Sequence, residues 1–271
     1  MEINDIIEKY RYGAPILDVD VVYYYRDMQT FIEKILKKEG LDIWAGHVDY
    51  MRDKMEFQKG MEIVRSIPNI DQAYPKQIEL GIKNKYPFQL SLSLAYDSYP
   101  MWQSYGDKGS SVMLILDYKA IRSKYPNIGA CIYEGSEEYN LLKDFFLSGK
   151  CLDNRYPKNS QIEYMMMYFP YLAKDYHYAY EQEVRIFRER QEHDGHLNYK
   201  MVGNSLRPFK SLIFSKETLK GIMISPCSEE TFVMNKRTLE MALIEKGYDK
   251  FPLDSPISKG CIFPSDILVR E

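Results

Sequence analysis

"YHYAYEQEVRIF", residues 176–187, is the stretch on which the reading of the chain turns. Its aromatic and β-branched residues alternate with polar ones, which predicts a strand over 178–189. Successive strand side chains point to opposite faces, so Tyr180, Gln182, Val184 and Ile186 share one face. Glu181, Glu183, Arg185 and Phe187 share the other. Two like charges on one face repel unless a cation, a ligand or solvent lies among them. That face is therefore expected to line a cleft. The competing expectation is an exposed charge ladder, worth about 0–1 kcal/mol per pair.

Outward from this stretch the pattern alternates between strands and helices. A helix is predicted over 159–174. "HLNYKMV" (196–202) is expected to pair with the quoted strand through the turn "RQEHDG". "SLIFS" (211–215) and "LKGIMIS" (219–225) read as strands, and 228–247 as a helix with Ser228 as cap and Gly247 as stop. Toward the N-terminus, a helix is expected over about 2–12 and a strand over 18–26. Asp27 caps a helix running to Gly40, and "LDIWAG" (41–46) is a short strand. Helices over 49–66 and 70–84 are split by Pro68. Strands follow at 88–94, 110–118 and 129–134, a helical turn at 98–106 and a helix at 137–148. Strand pairs mix with helices and lack a regular βαβα order. This predicts an α+β fold, a single domain over 1–271 with its core over about 20–271, and a mixed or antiparallel split sheet with flanking helices.

The totals bound the function. The chain has 271 residues, 45% hydrophobic and 28% charged, ordinary for a globular protein with a sizeable core. A net charge of −3 excludes a general basic field that would draw the whole chain to nucleic acid, while leaving room for a local patch. The 24 tyrosines suit a half-exposed groove for a flat ligand, or reflect compositional bias. Cys131, Cys151, Cys227 and Cys261 are scattered without a CxxC pair, so neither a zinc site nor a disulfide framework is expected. "MEINDIIEKYRYG" is acidic and amphipathic, unlike a signal peptide, and no apolar run nears the roughly 18 residues that span a bilayer. A reducing cytoplasmic location without a membrane partner is the expectation. No Gly-rich phosphate loop, GxGxxG, HExxH or GxSxG occurs, and His47, His177, His193 and His196 lack metal-ligand spacing, so no metal is expected.

Three blocks carry a resemblance: "YYYRDMQTFIEKILKKEGLDIWAGHVDYMRDKMEF" (23–57), "SLSLAYDSYPMWQSYGDKGSSVMLILDY" (91–118), and "YAYEQEVRIF" (178–187) with "LKGIMISP" (219–226). Together they resemble a bacterial family, the domain-of-unknown-function family 2971. Met101, Trp102, Tyr105, Gly109 and Asp117 fit its second block, and Tyr180, Glu181, Glu183, Arg185 and Ile186 its third. Its Asn-Asp-Pro-x-Glu segment stands here as Arg52, Asp53, Lys54, Met55 and Glu56, without the Asn and the Pro.

The order of motifs also resembles the ADP-ribosyltransferase plan: a first strand with an Arg or His, a middle strand with Ser or Tyr, and a late strand with Glu-x-Glu. Those positions fall on Tyr24 or Arg26, on Ser91 and Ser93, and on Glu181 and Glu183. The resemblance implies an ADP-ribosyltransferase-like fold and NAD as substrate. Breaking the nicotinamide–ribose bond develops positive charge on the sugar, which a neighbouring carboxylate stabilises. Glu183 would do this by holding the ribose 2′-hydroxyl. Glu181 would orient the acceptor or act as its general base. Ser91 or Ser93 would bind the nicotinamide side or support Glu183, and Tyr24 stands at the first-strand site. Arg26 would meet the pyrophosphate, and Trp102 and Tyr105 would stack on a flat ring. The acceptor is left open among protein, nucleic acid, a small molecule and water. A role as a bacterial toxin or phage-defence effector, with a cognate antitoxin or defence partner, is what the resemblance further implies. The alternatives are an inactive module of the same fold that binds nucleotide, nucleic acid or protein, and a metal-dependent nuclease using Asp53, Glu56, Glu181 and Glu183.

Overall fold

A computed structural model of the protein describes residues 2–9, 16–50, 57–71, 73–85, 88–105, 110–152, 161–188, 197–248 and 257–260. The fold is α+β, with helices flanking a mixed, largely antiparallel set of strands. The chain divides into two compact units. One comprises Met1–Asp18, Ala45–Leu90 and Tyr125–Lys210; the other comprises Val19–Trp44, Ser91–Lys124 and Ser211–Glu271.

In chain order the elements are α1 (Ile3–Lys9), β1 (Val21–Asp27), α2 (Met28–Thr30), β2 (Leu36–Lys37), β3 (Gly40–His47), α3 (Gln58–Arg65), α4 (Ala73–Lys85) and β4 (Phe88–Ser93). Then come α5 (Tyr99–Tyr105), β5 (Ser111–Asp117), α6 (Tyr118–Lys124), β6 (Ile128–Ala130), β7 (Ile132–Tyr133), α7 (Glu137–Leu147), α8 (Gln161–Leu172) and β8 (Ala173–Lys174). The last are β9 (Glu183–Arg188), β10 (Asn198–Val202), β11 (Ser205–Phe214), β12 (Leu219–Ile224), α9 (Glu229–Glu245) and β13 (Ile257–Lys259).

In the unit that contains β1, that strand lies antiparallel between β4 (Tyr23 opposite Ser93) and β5 (Val21 opposite Asp117 through Asp27 opposite Ser111). β5 pairs antiparallel with β12, and β12 pairs parallel with β13. Tyr25, Ala95, Met101, Trp102, Met113 and Met223 form a small core on one face of these strands. The expected helix from Asp27 to Gly40 is shorter. Asp27 caps it as expected, accepting from the Thr30 N–H at 2.7 Å, but it ends in a π-turn at Phe31–Ile35. Leu36 and Lys37 then fold back on Leu41 and Gly40 as a hairpin. Gly40 has φ +143°, and a Cβ there would stand 2.0 Å from the Phe214 carbonyl oxygen, so only glycine fits.

The other unit is built around α1, α3, α7 and α8. Their apolar stripes bury Ile6, Met61, Val64, Leu142, Phe146, Met165, Phe169 and Leu172 in one core. Gly60 lets α3 approach α8 so closely that a Cβ would stand 2.4 Å from the Cα of Pro170. Ser136 caps α7 through the Tyr139 N–H. In this unit β6 pairs antiparallel with β9, and β7 pairs parallel with β8.

Three expectations change here. The predicted strand over 129–134 is two strands, because β6 pairs with β9 while β7 pairs with β8; Cys131, between them, donates its N–H to the Glu183 carbonyl at 2.8 Å. The helix expected to reach Lys174 stops at Leu172, since Ala173 and Lys174 pair with Ile132 and Tyr133. "HLNYKMV" pairs not with the quoted stretch but with β11, from Asn198 opposite Phe209 to Val202 opposite Ser205, across a two-residue Gly203–Asn204 turn. The segment first expected to make that turn lies outside the described residues.

Candidate functional site

The quoted stretch is not one strand. Tyr176–Glu181 forms a short 3₁₀ helix capped by Asp175, whose carboxylate accepts from the His177 N–H at 3.0 Å. Gln182 then takes a left-handed conformation, φ 41° and ψ 51°, and only at Glu183 does β9 begin. Glu181 and Glu183 are therefore not neighbours on a pleated face. The left-handed residue between them redirects the chain, and both carboxylates converge on one cation.

That cation is Lys174, at the end of β8. Its ammonium donates to Glu181 Oε2 and, at 2.6 Å, to Glu183 Oε2. Parallel pairing of Tyr133 with Lys174 sets its position, and Glu134 N–H donates to the Lys174 carbonyl at 2.9 Å. Arg185, two residues along β9, donates from Nη2 to Glu183 Oε2 at 2.8 Å and from Nη1 to the Tyr171 carbonyl at the end of α8. The Cys131 Sγ lies 3.5 Å from the same Oε2, and the Tyr133 hydroxyl accepts from the Glu183 N–H at 2.7 Å. The cluster is interior: Arg185 is 1% exposed, Glu183 4%, Lys174 6% and Glu181 6%.

Every hydrogen bond to the Glu183 carboxylate among the described residues goes to Oε2. Oε1 accepts none among them. Burial alone would raise the Glu183 carboxyl, but the charges of Arg185 and Lys174 and the hydrogen bonds they donate outweigh it and hold the group well below the usual carboxylate range. Burial alone would lower Lys174; the Glu183 charge reverses this, and the ammonium is held above its usual range. Burial pushes the Tyr133 hydroxyl up, so it stays protonated. Glu183 is thus a fixed anion with one oxygen saturated and one uncommitted.

Outside this cluster a second lysine secures the same turn. Lys59, on α3, pairs with Glu134 and, at 2.5 Å, with Asp175. Asp175 also meets the His177 Nδ1 at 2.6 Å. The Lys59 hydrogen bond, with those from His177, holds the Asp175 carboxyl low. The turn is thus pinned at its start by Lys59 and at its end by Lys174. It displays Tyr176, His177 and Tyr180, while Tyr178 lies with its ring 5.0 Å from the Lys174 ammonium.

Of the residues expected to form a site, Glu181 and Glu183 are brought together. The other six belong to the second unit and do not share one face there. Ser93 lies opposite Tyr23, so Ser93 and, two residues away, Ser91 share the face of Tyr23 and Tyr25; Tyr24 and Arg26 project from the other. Ser93 Oγ accepts from the Ala95 N–H at 2.9 Å. Trp102 is core: it is 5% exposed, meets Tyr25 edge-on at 4.8 Å and donates from Nε1 to Asp97 Oδ1 at 2.8 Å. Tyr105 is 46% exposed. Arg26 Nε lies 3.7 Å from Asp27 Oδ2. Asp53 and Glu56 lie outside the described residues, as do Gly109, His193, His196 and Cys261.

Sequence reasoning missed Lys174, Tyr133 and Cys131. Lys174 ends an apolar run, "MMMYFPYLAK", and is the last residue of the helix expected over 159–174. A lone lysine closing such a run ahead of two glutamates is the signal that could have found it.

No curated protein matches the sequence. Among solved structures, that of Thermus sp. 2.9 DarT in complex with ADP-ribosylated ssDNA is similar at 9% identity and a TM-score of 0.33, over 94% of this chain and 98% of that one. Residues 101–186, which include most of α5, all of β5 and the whole Lys174–Glu181–Glu183–Arg185 cluster, match the family described as "Protein of unknown function (DUF2971)".

Proposed function

We propose that this protein is an ADP-ribosyltransferase-like enzyme that takes NAD as donor and breaks its nicotinamide–ribose bond, with Glu183 as the carboxylate beside the ribose. One observation carries the reading: Glu183 is kept ionised by two cations on Oε2 while Oε1 is left to accept a hydrogen bond from a ligand hydroxyl. A preorganised anion in a low-dielectric setting stabilises a developing oxocarbenium charge far better than one in water. Bond cleavage releases nicotinamide, and the ribosyl carbon passes to an acceptor oxygen or nitrogen, or to water. NAD contacts of Ser91, Ser93 and Tyr105, and a toxin or phage-defence setting, are part of the same proposal.

A second reading, a non-catalytic binding module of this fold, is favoured by the depth at which Glu183 is held, with Lys174 and Arg185 already neutralising it. The nuclease alternative has to contend with Lys174, whose ammonium occupies the space between Glu181 and Glu183 where a metal ion would bind.

The deciding measurement is nicotinamide release from NAD, with and without cell extract, by wild type and by Glu183→Gln, each verified as folded by circular dichroism. Release by wild type and its loss in the variant is the expected result. Equal rates in both would remove Glu183 from the chemistry, and no release by either favours the binding module.

A further inference from the structure

The Glu-x-Glu pair has a third member. We propose that Lys174 is the positioning residue of this site: it ties Glu181 and Glu183 into one unit and grips Glu183 by Oε2, so that Oε1 is the oxygen presented to a ligand. This rests on Glu183 acting as proposed above.

The geometry separates Lys174 from an ordinary structural ion pair. Its single ammonium bridges two carboxylates that come from different elements, the end of the 3₁₀ turn and the start of β9. It comes from a third element, β8, whose register with β7 is tied to the Tyr133 hydroxyl that receives the Glu183 N–H. Backbone and side chain of Glu183 are thus held from the same two-strand ladder. Arg185 reaches the same Oε2 from β9 itself, which leaves Oε1 clear from that side also. Without the ammonium, Glu181 and Glu183 would face each other as buried like charges, and one would take up a proton.

Among the described residues, the groups that meet Glu183 come from several elements. Lys174 comes from β8, Arg185 from β9, Glu181 from the 3₁₀ turn, Tyr133 from β7, Cys131 from the link between β6 and β7, and the Tyr171 carbonyl behind Arg185 from α8. Lys174 donates to both carboxylates. Glu181 in this arrangement holds the lysine rather than an acceptor, which reassigns it from general base to support.

The test is the pH profile of kcat/KM for NAD. Lys174→Gln is expected to move the acid limb upward by at least about one pH unit, the shift an opposite charge at this distance produces. Lys174→Arg is expected to restore the limb to the wild-type position. A structural role alone would lower the yield of active enzyme equally at every pH and leave the limb in place, which would overturn the proposal. Should Lys174→Gln not fold, Lys174→Met combined with Glu181→Leu removes the ammonium and one carboxylate together; the move is again upward but smaller, because a repelling carboxylate goes with the attracting ammonium. If wild type releases no nicotinamide, the readout becomes the carbon-13 titration of the Glu183 carboxyl, assigned as the resonance missing from Glu183→Gln. An upward move of that titration in Lys174→Gln, restored in Lys174→Arg, keeps Lys174 as the residue that positions Glu183 while the NAD reading falls. An unmoved titration sinks the positioning role itself.

Discussion

At the scale of single residues, the Glu183 cluster is a high-stakes arrangement. Charges taken out of water cost several kcal/mol each unless fully paired, and removing one partner of a buried pair exposes that cost. Arg185→Met is therefore expected to destabilise the protein by about 3–5 kcal/mol, read from urea unfolding. Glu183→Gln should also lose stability, by less, since Arg185 keeps the Tyr171 carbonyl and Lys174 keeps Glu181. The pH dependence follows in sign. Glu183 is held below its ordinary value of 4.5, so its contribution is fully present above that pH and is lost as the pH falls below it. Wild type should lose stability more steeply than Glu183→Gln on acidification below about pH 4.5. Lys174 is held above its ordinary value of 10.5, so its contribution persists through neutral pH and is lost only as the solution becomes strongly alkaline.

At the scale of elements, the decisive feature is Gln182. A non-glycine residue at φ 41° is uncommon, and it is what separates the 3₁₀ turn from β9. Gln182→Gly is expected to be neutral or to stabilise by up to about 1 kcal/mol, whereas Gln182→Val should cost about 1–3 kcal/mol in a thermal melt. Gly60→Ala should cost about 1–3 kcal/mol by forcing α3 off α8. Much of the element plan was legible in the sequence. Alternation marked β1, a buried apolar run marked β5, and Asp27 and Ser228 marked helix starts through side-chain oxygens that do accept the expected N–H groups. The break at Gln182 was not legible, because nothing in glutamine favours a left-handed backbone, and the glutamates on either side of it pair with Lys174 from another element, a contact that sequence does not carry. The short ladder β7–β8 was hidden for a related reason. Two residues carry no period, and Ala173 and Lys174 continue the apolar pattern of α8.

At the scale of the whole molecule, the motif order Ser-x-Ser, Trp, then Glu-x-Glu was readable, while the faces on which those residues stand were not. The register of β1 with β4 sends Tyr24 and Arg26 to one face and Ser93 to the other. Period two fixes which residues alternate but not which strands meet. Ligand linkage supplies a test at this scale: NAD at about 100 times its Kd should raise the stability of the intact chain by about 2.7 kcal/mol, seen as a higher Tm. No shift at saturating NAD would exclude the donor. The thiols give a second test. Cys131, Cys151 and Cys227 are buried thiols, so each should react with a thiol reagent only as fast as the protein opens.

The parallel ladder β7–β8 has one more consequence. Lys174 lies between an alanine and an aspartate, and only its pairing with Tyr133 places it beside the two glutamates. A slip of one residue would deliver either Ala173, leaving two interior carboxylates with Arg185 alone, or Asp175, bringing a third. Both misalignments assemble negative charge away from water and undo themselves. The cluster thereby proofreads the folding of its own unit, admitting one alignment of the chain and rejecting its nearest neighbours.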